Sequence, residues 1–510
     1  MQDNNACMTT FNKSYLKRTL WIGLAFFGIL LVWQLYNSYC APMLSFLFAK
    51  SDYADAVNQA IAEAGAGVTV DMKYLLAHSY ITEANYLDLQ WKVGIIMALD
   101  NIAALFIMPI FGHLSDKTKT KLGKRMPYII VGSIITAIAL PFIPFFFSSG
   151  MKENAAITGM TVGMIATMVV IIVFMMSYRS PAVALMPDLT PKPLRSKANG
   201  IINVVGYVGG GIGSVLAIVI PVTKYIDGSN RSLWMLEIPF IVCSVVLLLS
   251  LLVLLIKVKE NKLHQQLDEE IAAGDKYGES AEEIKKEGKM SKTNIRNLAL
   301  ILIAEMFWFM ALNAVETFQT NYAMFWLNCS SAGGAIMTVL SGAASVVGFL
   351  IAGPIADKIG RKWTIFTGIV VVALCYVIYA FIPQVKVADN ANPDDIFTAK
   401  LPFIFFVLLP AIGLGSSLIH ICSFPLVTDY CTNDKLGKFT SLYYTASMLA
   451  QSLTPICIGL IFRFTSWQAM PIYSAILMGI AGLVFFFVKA PKRFDKAKNA
   501  KGLDALGSDD

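Results

Sequence analysis

Charge is scarce in this chain: only 15% of its 510 residues are Asp, Glu, Lys or Arg, against 56% that are hydrophobic. A soluble domain carries about 25% charge to solvate its surface, so a water-covered globule is excluded and lipid must cover the apolar bulk. Eight cysteines are present but no CxxC or Cys/His zinc spacing, so neither a disulfide framework nor a metal site is expected. No Gly-Lys pair completes a Walker A sequence, and HExxH and GxSxG are missing. The chain therefore has no visible means of using ATP and is not expected to be an enzyme. The net charge of +7 does not point to nucleic acid, because the basic residues fall between apolar stretches.

Those stretches are what the chain has in plenty. Many approach or exceed the roughly 20 apolar residues needed to cross a hydrocarbon core. Polar breaks divide them into spans near 20–48, 89–112, 127–147, 156–186, 198–222 and 235–256. A second set lies near 297–327, 332–355, 363–383, 401–427, 440–462 and 470–488. Lys13, Lys17 and Arg18 precede the first run and no small-residue cleavage site closes it, so it reads as a first transmembrane helix. With both ends cytoplasmic, 31 basic residues lie inside, nine outside, and Arg179 within a span. That imbalance favours an inner-membrane protein with both termini in the cytoplasm. The expected domains are 1–256, a charged linker 257–296, 297–490 and a tail 491–510. The linker carries nine basic and nine acidic residues and reads as a solvated surface helix.

The two sets of six share a loop. Gly112-His-Leu-Ser-Asp116 is followed by Gly123-Lys-Arg125, and Gly353-Pro-Ile-Ala-Asp357 by Gly360-Arg361-Lys362. Pro187-Asp188 and Thr428-Asp429 close the fourth and tenth spans, each 72 residues beyond the loop aspartate. Glycine at a helix end relaxes the backbone or admits a neighbouring helix. The acids and bases can pair to hold the turn. Duplicated bundles of this kind place a substrate site between the halves and alternate its access by rocking.

The repeated Gly-x-x-x-Asp…Gly-Arg/Lys-Arg/Lys loop resembles the signature of the major facilitator superfamily over essentially the whole chain. Pro109-Ile-Phe-Gly-His-Leu-Ser-Asp116 through Gly123-Lys-Arg-Met-Pro127-Tyr narrows the likeness. So does Tyr178-Arg-Ser-Pro181 through Asp188-Leu-Thr-Pro-Lys-Pro-Leu-Arg195-Ser-Lys-Ala-Asn199-Gly. Both are similar to the glycoside–pentoside–hexuronide:cation symporters and the sucrose–proton symporters. The resemblance implies an all-α membrane protein with twelve helices in two pseudo-symmetric six-helix bundles. It also implies that Gly112, Asp116, Gly123, Arg125, Asp188, Arg195, Gly353, Asp357, Gly360, Arg361 and Asp429 form gating loops. Asp116-Lys-Thr-Lys-Thr120 is superficially similar to the phosphorylated sequence of cation-pumping ATPases, but Lys119 stands where glycine is usual and the loop is too short for a nucleotide domain.

Intramembrane ionisable residues are functional candidates, since each is costly to keep. Asp100 lies 12 residues before Gly112, or ~18 Å in from that end. Arg179 lies nine residues before Asp188, ~14 Å in. The two are candidates to face each other in a cavity, as proton acceptor and charge partner, or else to tie two helices together as a fixed ion pair. Asn101 adjoins Asp100. The seventh span adds Glu305, Asn313, Glu316, Gln319 and Asn321, a density that suits a cavity wall. Glu316 is preferred for coupling, because Glu305 is expected near a hydrated helix end. Gln34 and Asn37 in the first span, Gln451 in the eleventh and His420 in the tenth complete the substrate-binding candidates. Amides suit sugar hydroxyls and the neighbouring Trp33 suits a sugar ring; helix–helix hydrogen bonding is the bland alternative.

The expected function is proton-coupled symport of a glycoside, such as a sucrose-like or maltose-like disaccharide, by a monomer with no cofactor. Melibiose-type sodium members carry paired aspartates one turn apart; here Ile96 and Ala104 flank Asp100 at that spacing, which favours protons over sodium. Transport of a drug, peptide or organic anion, or a non-transporting sensor of the same fold, are the alternatives.

Overall fold

A peptide group left unbonded in hydrocarbon costs several kcal/mol, so a chain of this composition has to satisfy its backbone inside each segment as helix. The computed structural model describes residues 13–64, 68, 70–152, 155–191, 195–226, 234–267, 271, 292–386, 392–430 and 436–489. Among them are twelve helices long and apolar enough to cross a membrane. The first six are α1 (Ser14–Asp52), α2 (Glu83–Lys117), α3 (Met126–Met151), α4 (Ile157–Asp188), α5 (Gly200–Lys224) and α6 (Glu237–Lys257). The second six are α7 (Lys292–Phe325), α8 (Ser331–Ala356), α9 (Arg361–Ala380), α10 (Phe405–Val427), α11 (Leu442–Phe462) and α12 (Ala469–Phe486).

The expected count is met, but several helices overrun the expected spans. α1, α2 and α7 reach 39, 35 and 34 residues, because their polar flanks stay helical beyond the apolar stretch. α3 is interrupted at Leu140 and Pro141, between Met126–Ala139 and Phe142–Met151, where proline offers no amide to the helical ladder. Large apolar side chains face outward: Leu350, Phe381 and Phe464 are 70%, 81% and 81% exposed, a surface suited to lipid.

Each half packs in the same way. α1 lies against α4, α5 and α6, α2 against α4, and α3 against α4 and α6; the same pairs recur among α7 to α12. The halves meet mainly where α1 touches α7, α2 touches α11 and α5 touches α8, three pairs that map onto one another when the halves are exchanged; α1 also touches α8. A pseudo-twofold axis therefore runs between α1 and α7. The α2·α11 seam is backbone against backbone. A Cβ on Gly94 would lie 2.1 Å from the Pro455 carbonyl oxygen, and one on Gly459 would lie 2.6 Å from that of Gln90.

With an even number of crossings, the starts of α1 and α7 and the ends of α6 and α12 share one face, the terminal face. The halves are latched on the opposite face. There Thr223 Oγ1 lies 3.0 Å from Ser330 Oγ, Arg463 pairs with Asp88 at 2.7 Å, and Gln384 donates to Glu83. The rings of Tyr86, Phe325 and Trp467 pack in the same region, and the short helix Met72–Ala77 from the first half rests against the turn Pro393–Asp395 of the second. Asn321 belongs to this latch as well, and not to a cavity wall as its position in α7 suggested. Its amide donates to Ser45 Oγ and Gln90 Oε1, both at 3.0 Å. Nearer the terminal face the rings of Tyr207 and Phe349 meet across the halves with centroids 5.8 Å apart.

Gly94→Val tests the seam. The new side chain meets main chain, which no rotamer can relieve, so a loss of about 1–3 kcal/mol is expected. A melting temperature equal to wild type in detergent would show that the helices do not pack this closely.

Candidate functional site

Asp100 sits at the midpoint of α2, 17 residues from Glu83 and 17 from Lys117, and is 3% exposed. A carboxyl group at that depth needs polar company, and the fold supplies it from both halves. A cavity of about 210 Å³ is lined by Trp33 and Asn37 of α1, Met97, Asp100 and Asn101 of α2, and Arg179 of α4. The second half contributes Asn313, Glu316 and Thr317 of α7 with Met448 and Gln451 of α11. A larger cavity of about 460 Å³ adjoins it, sharing Asn37 and Glu316 and reaching Gln34, Gln319 and His420. Its other walls are the glycine-rich face of α5 at Gly210 and Gly211, α8 at Thr338 and Ser341, and the rings of Tyr207 and Tyr376.

Every substrate-binding candidate named from the sequence thus borders one of two adjoining cavities between the halves. Asn37 Nδ2 donates to Glu316 Oε1 at 3.3 Å, a polar contact between α1 and α7 at the cavity. Asp100 Oδ1 accepts from Asn101 through its backbone amide at 2.5 Å and its side chain at 2.8 Å. Gln34 is bound to Ser38 at 3.1 Å, Gln451 to the Ser447 carbonyl at 3.2 Å, and Gln319 to Thr338. His420 sits beside the Phe309 ring, 5.2 Å between centroids. Asn313 Oδ1 is buried without a partner.

One alternative and one expectation are not met: the fixed Asp100–Arg179 ion pair and the hydrated Glu305. Asp100 and Arg179 share the smaller cavity, but no ion pair joins them. Asp100 is engaged by its neighbour Asn101, and the Arg179 guanidinium lies over the Trp33 ring, 5.6 Å from its centroid. A cation there gains from the ring quadrupole, which substitutes in part for the missing anion. Glu305, expected near a hydrated end, is fully buried. The residues that sequence reasoning missed are Met97, Thr317, Met448, Tyr207 and Tyr376, which carry no motif and are placed only by packing.

The first acid–glycine–base loop is a closed network at the terminal face. Arg125, only 5% exposed, donates Nε to Asp188 at 2.9 Å, Nη1 to Ser115 Oγ at 2.5 Å and to the Gly112 carbonyl at 3.4 Å, and Nη2 to Asp116. Lys124 adds a second cation to Asp188 at 3.0 Å. Burial alone would lower the guanidinium's pKa, but Asp188 and Asp116 more than offset it and hold Arg125 above its usual value. Gly112 faces Ser180 of α4, whose hydroxyl would lie 2.8 Å from an added Cβ, and Gly123 turns with φ +122°.

The described start of the linker is mostly exposed and helical, as expected of a surface helix, but one of its carboxylates is buried. Glu260 is 2% exposed and accepts from the backbone amides of Lys124, Arg125 and Met126 at 2.9–3.1 Å, capping α3. In the second half Gly360 turns with φ +87°, Gly353 has open space, and Arg361 reaches the Pro425 carbonyl at 3.3 Å. The side chains of Arg195, Asp357 and Asp429 lie outside the described residues, as do the linker beyond 271 up to 291 and the tail from 490.

A family model described as Major Facilitator Superfamily matches residues 59–385 and 298–507. Among curated relatives, the chain is 33% identical over 145 residues to the bicyclomycin resistance protein homolog of Haemophilus influenzae, covering 28% of this chain and 31% of that protein. It is 30% identical over 129 residues to the sucrose transport protein SUC3 of Arabidopsis thaliana, 22% of each. It is also 30% identical over 138 residues to the lactose permease of Leuconostoc lactis, covering 26% of this chain and 21% of that one. Each match thus spans less than a third of the relative. Of solved structures, a D-xylose-proton symporter aligns over 93% of this chain and 98% of its own, with TM-score 0.56 and 14% identity. At that identity it speaks for the fold alone.

Replacing Arg125 with alanine removes charge-assisted bonds to two carboxylates and is expected to cost roughly 2–3 kcal/mol. Lysine at the same position should recover part of that loss. Equal thermal unfolding of all three proteins would mean the loop network does not hold the terminal face together.

Proposed function

The chain belongs to the major facilitator superfamily, and from that premise we propose that it is a proton-coupled symporter bringing a glycoside or disaccharide into the cytoplasm. The observation that carries this reading is the smaller cavity, where Asp100, Arg179 and Glu316 meet amide side chains and the Trp33 ring between the two halves. Amides and carboxylates present paired donors and acceptors that match vicinal hydroxyls, and an indole face covers the apolar face of a pyranose. The two adjoining cavities offer about 210 and 460 Å³, room for more than one ring. Two of the relatives reported above are by name sugar transporters, which supports the same class.

Coupling follows from the open Asp100–Arg179 pair. A carboxyl group holds its proton while its cation is away and releases it when the pair closes. If sugar and proton together favour one packing of the halves, each raises the affinity for the other. In this reading the terminal face is cytoplasmic in the inner membrane, one chain forms the complete pathway, and the Arg125 and Arg361 loops gate it. A proton gradient drives transport, and sodium is disfavoured because Ile96 and Ala104 flank Asp100. A second reading, transport of an organic anion, is favoured by Arg179, whose guanidinium borders the cavity with no ion pair among the described residues.

Proteoliposomes separate the two. External acidification should drive accumulation of at least one glycoside in a panel, and anions should not compete; the reverse pattern favours the anion reading. Asp100→Asn should still bind the sugar but bring the inside-to-outside ratio down to about one, since an uncoupled carrier can only equilibrate its cargo. Undiminished uphill transport by that variant would remove Asp100 from the coupling step.

A further inference from the structure

Glu305 of α7 belongs to neither cavity. It lies 11 residues from Glu316, ~16 Å toward the terminal face. It is 0% exposed, and both carboxylate oxygens are buried without a hydrogen-bond partner. None of the ion pairs among the described residues includes it. From α11 the titratable groups that face it are the hydroxyls of Tyr443 and Tyr444. Tyr443 is already committed to Ser423 of α10 at 2.7 Å. From α10 His420 meets the ring of Phe309, one turn along α7. α12 presents Ser474, whose hydroxyl is bound to the Ala311 carbonyl. α1 and α8 engage α7 farther along, at Glu316 and Gln319.

An ionised carboxylate in such surroundings costs several kcal/mol with nothing to offset it. The neutral acid is therefore the form this packing accepts, and even that form leaves polar atoms unpaired. An apolar side chain of the same size would stabilise the helix contact better, so packing gives no reason for a carboxyl group here. Tyr444, close enough to act on it electrostatically, is 52% exposed. We propose that Glu305 is a second proton site of the transport cycle, loaded in this conformation and emptied at the terminal face when α7, α10 and α11 rearrange. On emptying, the O–H bond breaks, its electron pair stays on the carboxylate, and the proton passes to water. The proposal rests on the proton-coupled reading above.

Two variants and two readouts test it. Infrared difference spectra of purified protein near pH 7 should contain a carboxylic-acid C=O band that Glu305→Gln lacks and that shifts when the transported sugar is added. Glu305→Met, matched in volume, should melt at a higher temperature than wild type yet move one proton fewer per sugar, read from reversal potentials in proteoliposomes. No band assignable to Glu305, a band indifferent to sugar, or an unchanged proton-to-sugar ratio in both variants would each overturn the proposal. If wild type moves no protons with any sugar, the symport reading fails instead, and the infrared band alone then reports that Glu305 is neutral without making it a transport site.

Discussion

Moving an ionised side chain to the centre of a bilayer costs a few kcal/mol on the most lenient scale and far more on others, and this chain places Asp100, Arg179 and Glu316 in the span interior. Each answers that cost by facing inward to the same small cavity. Because the three come from α2, α4 and α7, no single bundle can enclose them, and the halves have to meet around them. The helix pairs at the interface follow from this requirement: α1 with α7 at the axis, and α2·α11 and α5·α8 on its flanks. The latch on the far face holds the same two halves together.

The two halves are alike in path and unlike in fastening. On one flank, α2 and α11 touch through glycine backbones, while on the other Thr223 meets Ser330 and Ser331 by hydroxyl bonds. The first half also takes its α3 cap from the linker, through Glu260. The linker is thereby more than a tether, since its first turn is part of the loop that Arg125 holds.

The architecture was legible because hydrocarbon imposes a coarse code: long apolar runs, basic residues at their ends, and a loop used twice. Gln34, Asn37, Asp100 and Glu316 stood out in the same way, as polar groups where polar groups are expensive. Other features leave no such trace. Asn321 looks in sequence like one more polar residue of α7, and only the approach of Ser45 and Gln90 makes it a latch. Glu260 sits in a stretch whose charges otherwise suit water, and nothing local distinguishes the one carboxylate that is buried. The open Asp100–Arg179 pair is a property of the conformation, so no reading of residue types could supply it. Met97, Thr317 and Met448 line the cavity by geometry alone.

Gly94 and Gly459 touch no cargo and hold no charge, yet each stands where a single added carbon would strike a carbonyl group of the facing helix. Among descendants of this chain such positions are closed to drift for mechanical reasons, whatever the transported solute becomes. Cargo preference can wander by changing cavity walls while the seam stays as it is. An invariant glycine in this lineage would therefore mark the seam where the halves are pressed together and say nothing of what passes between them.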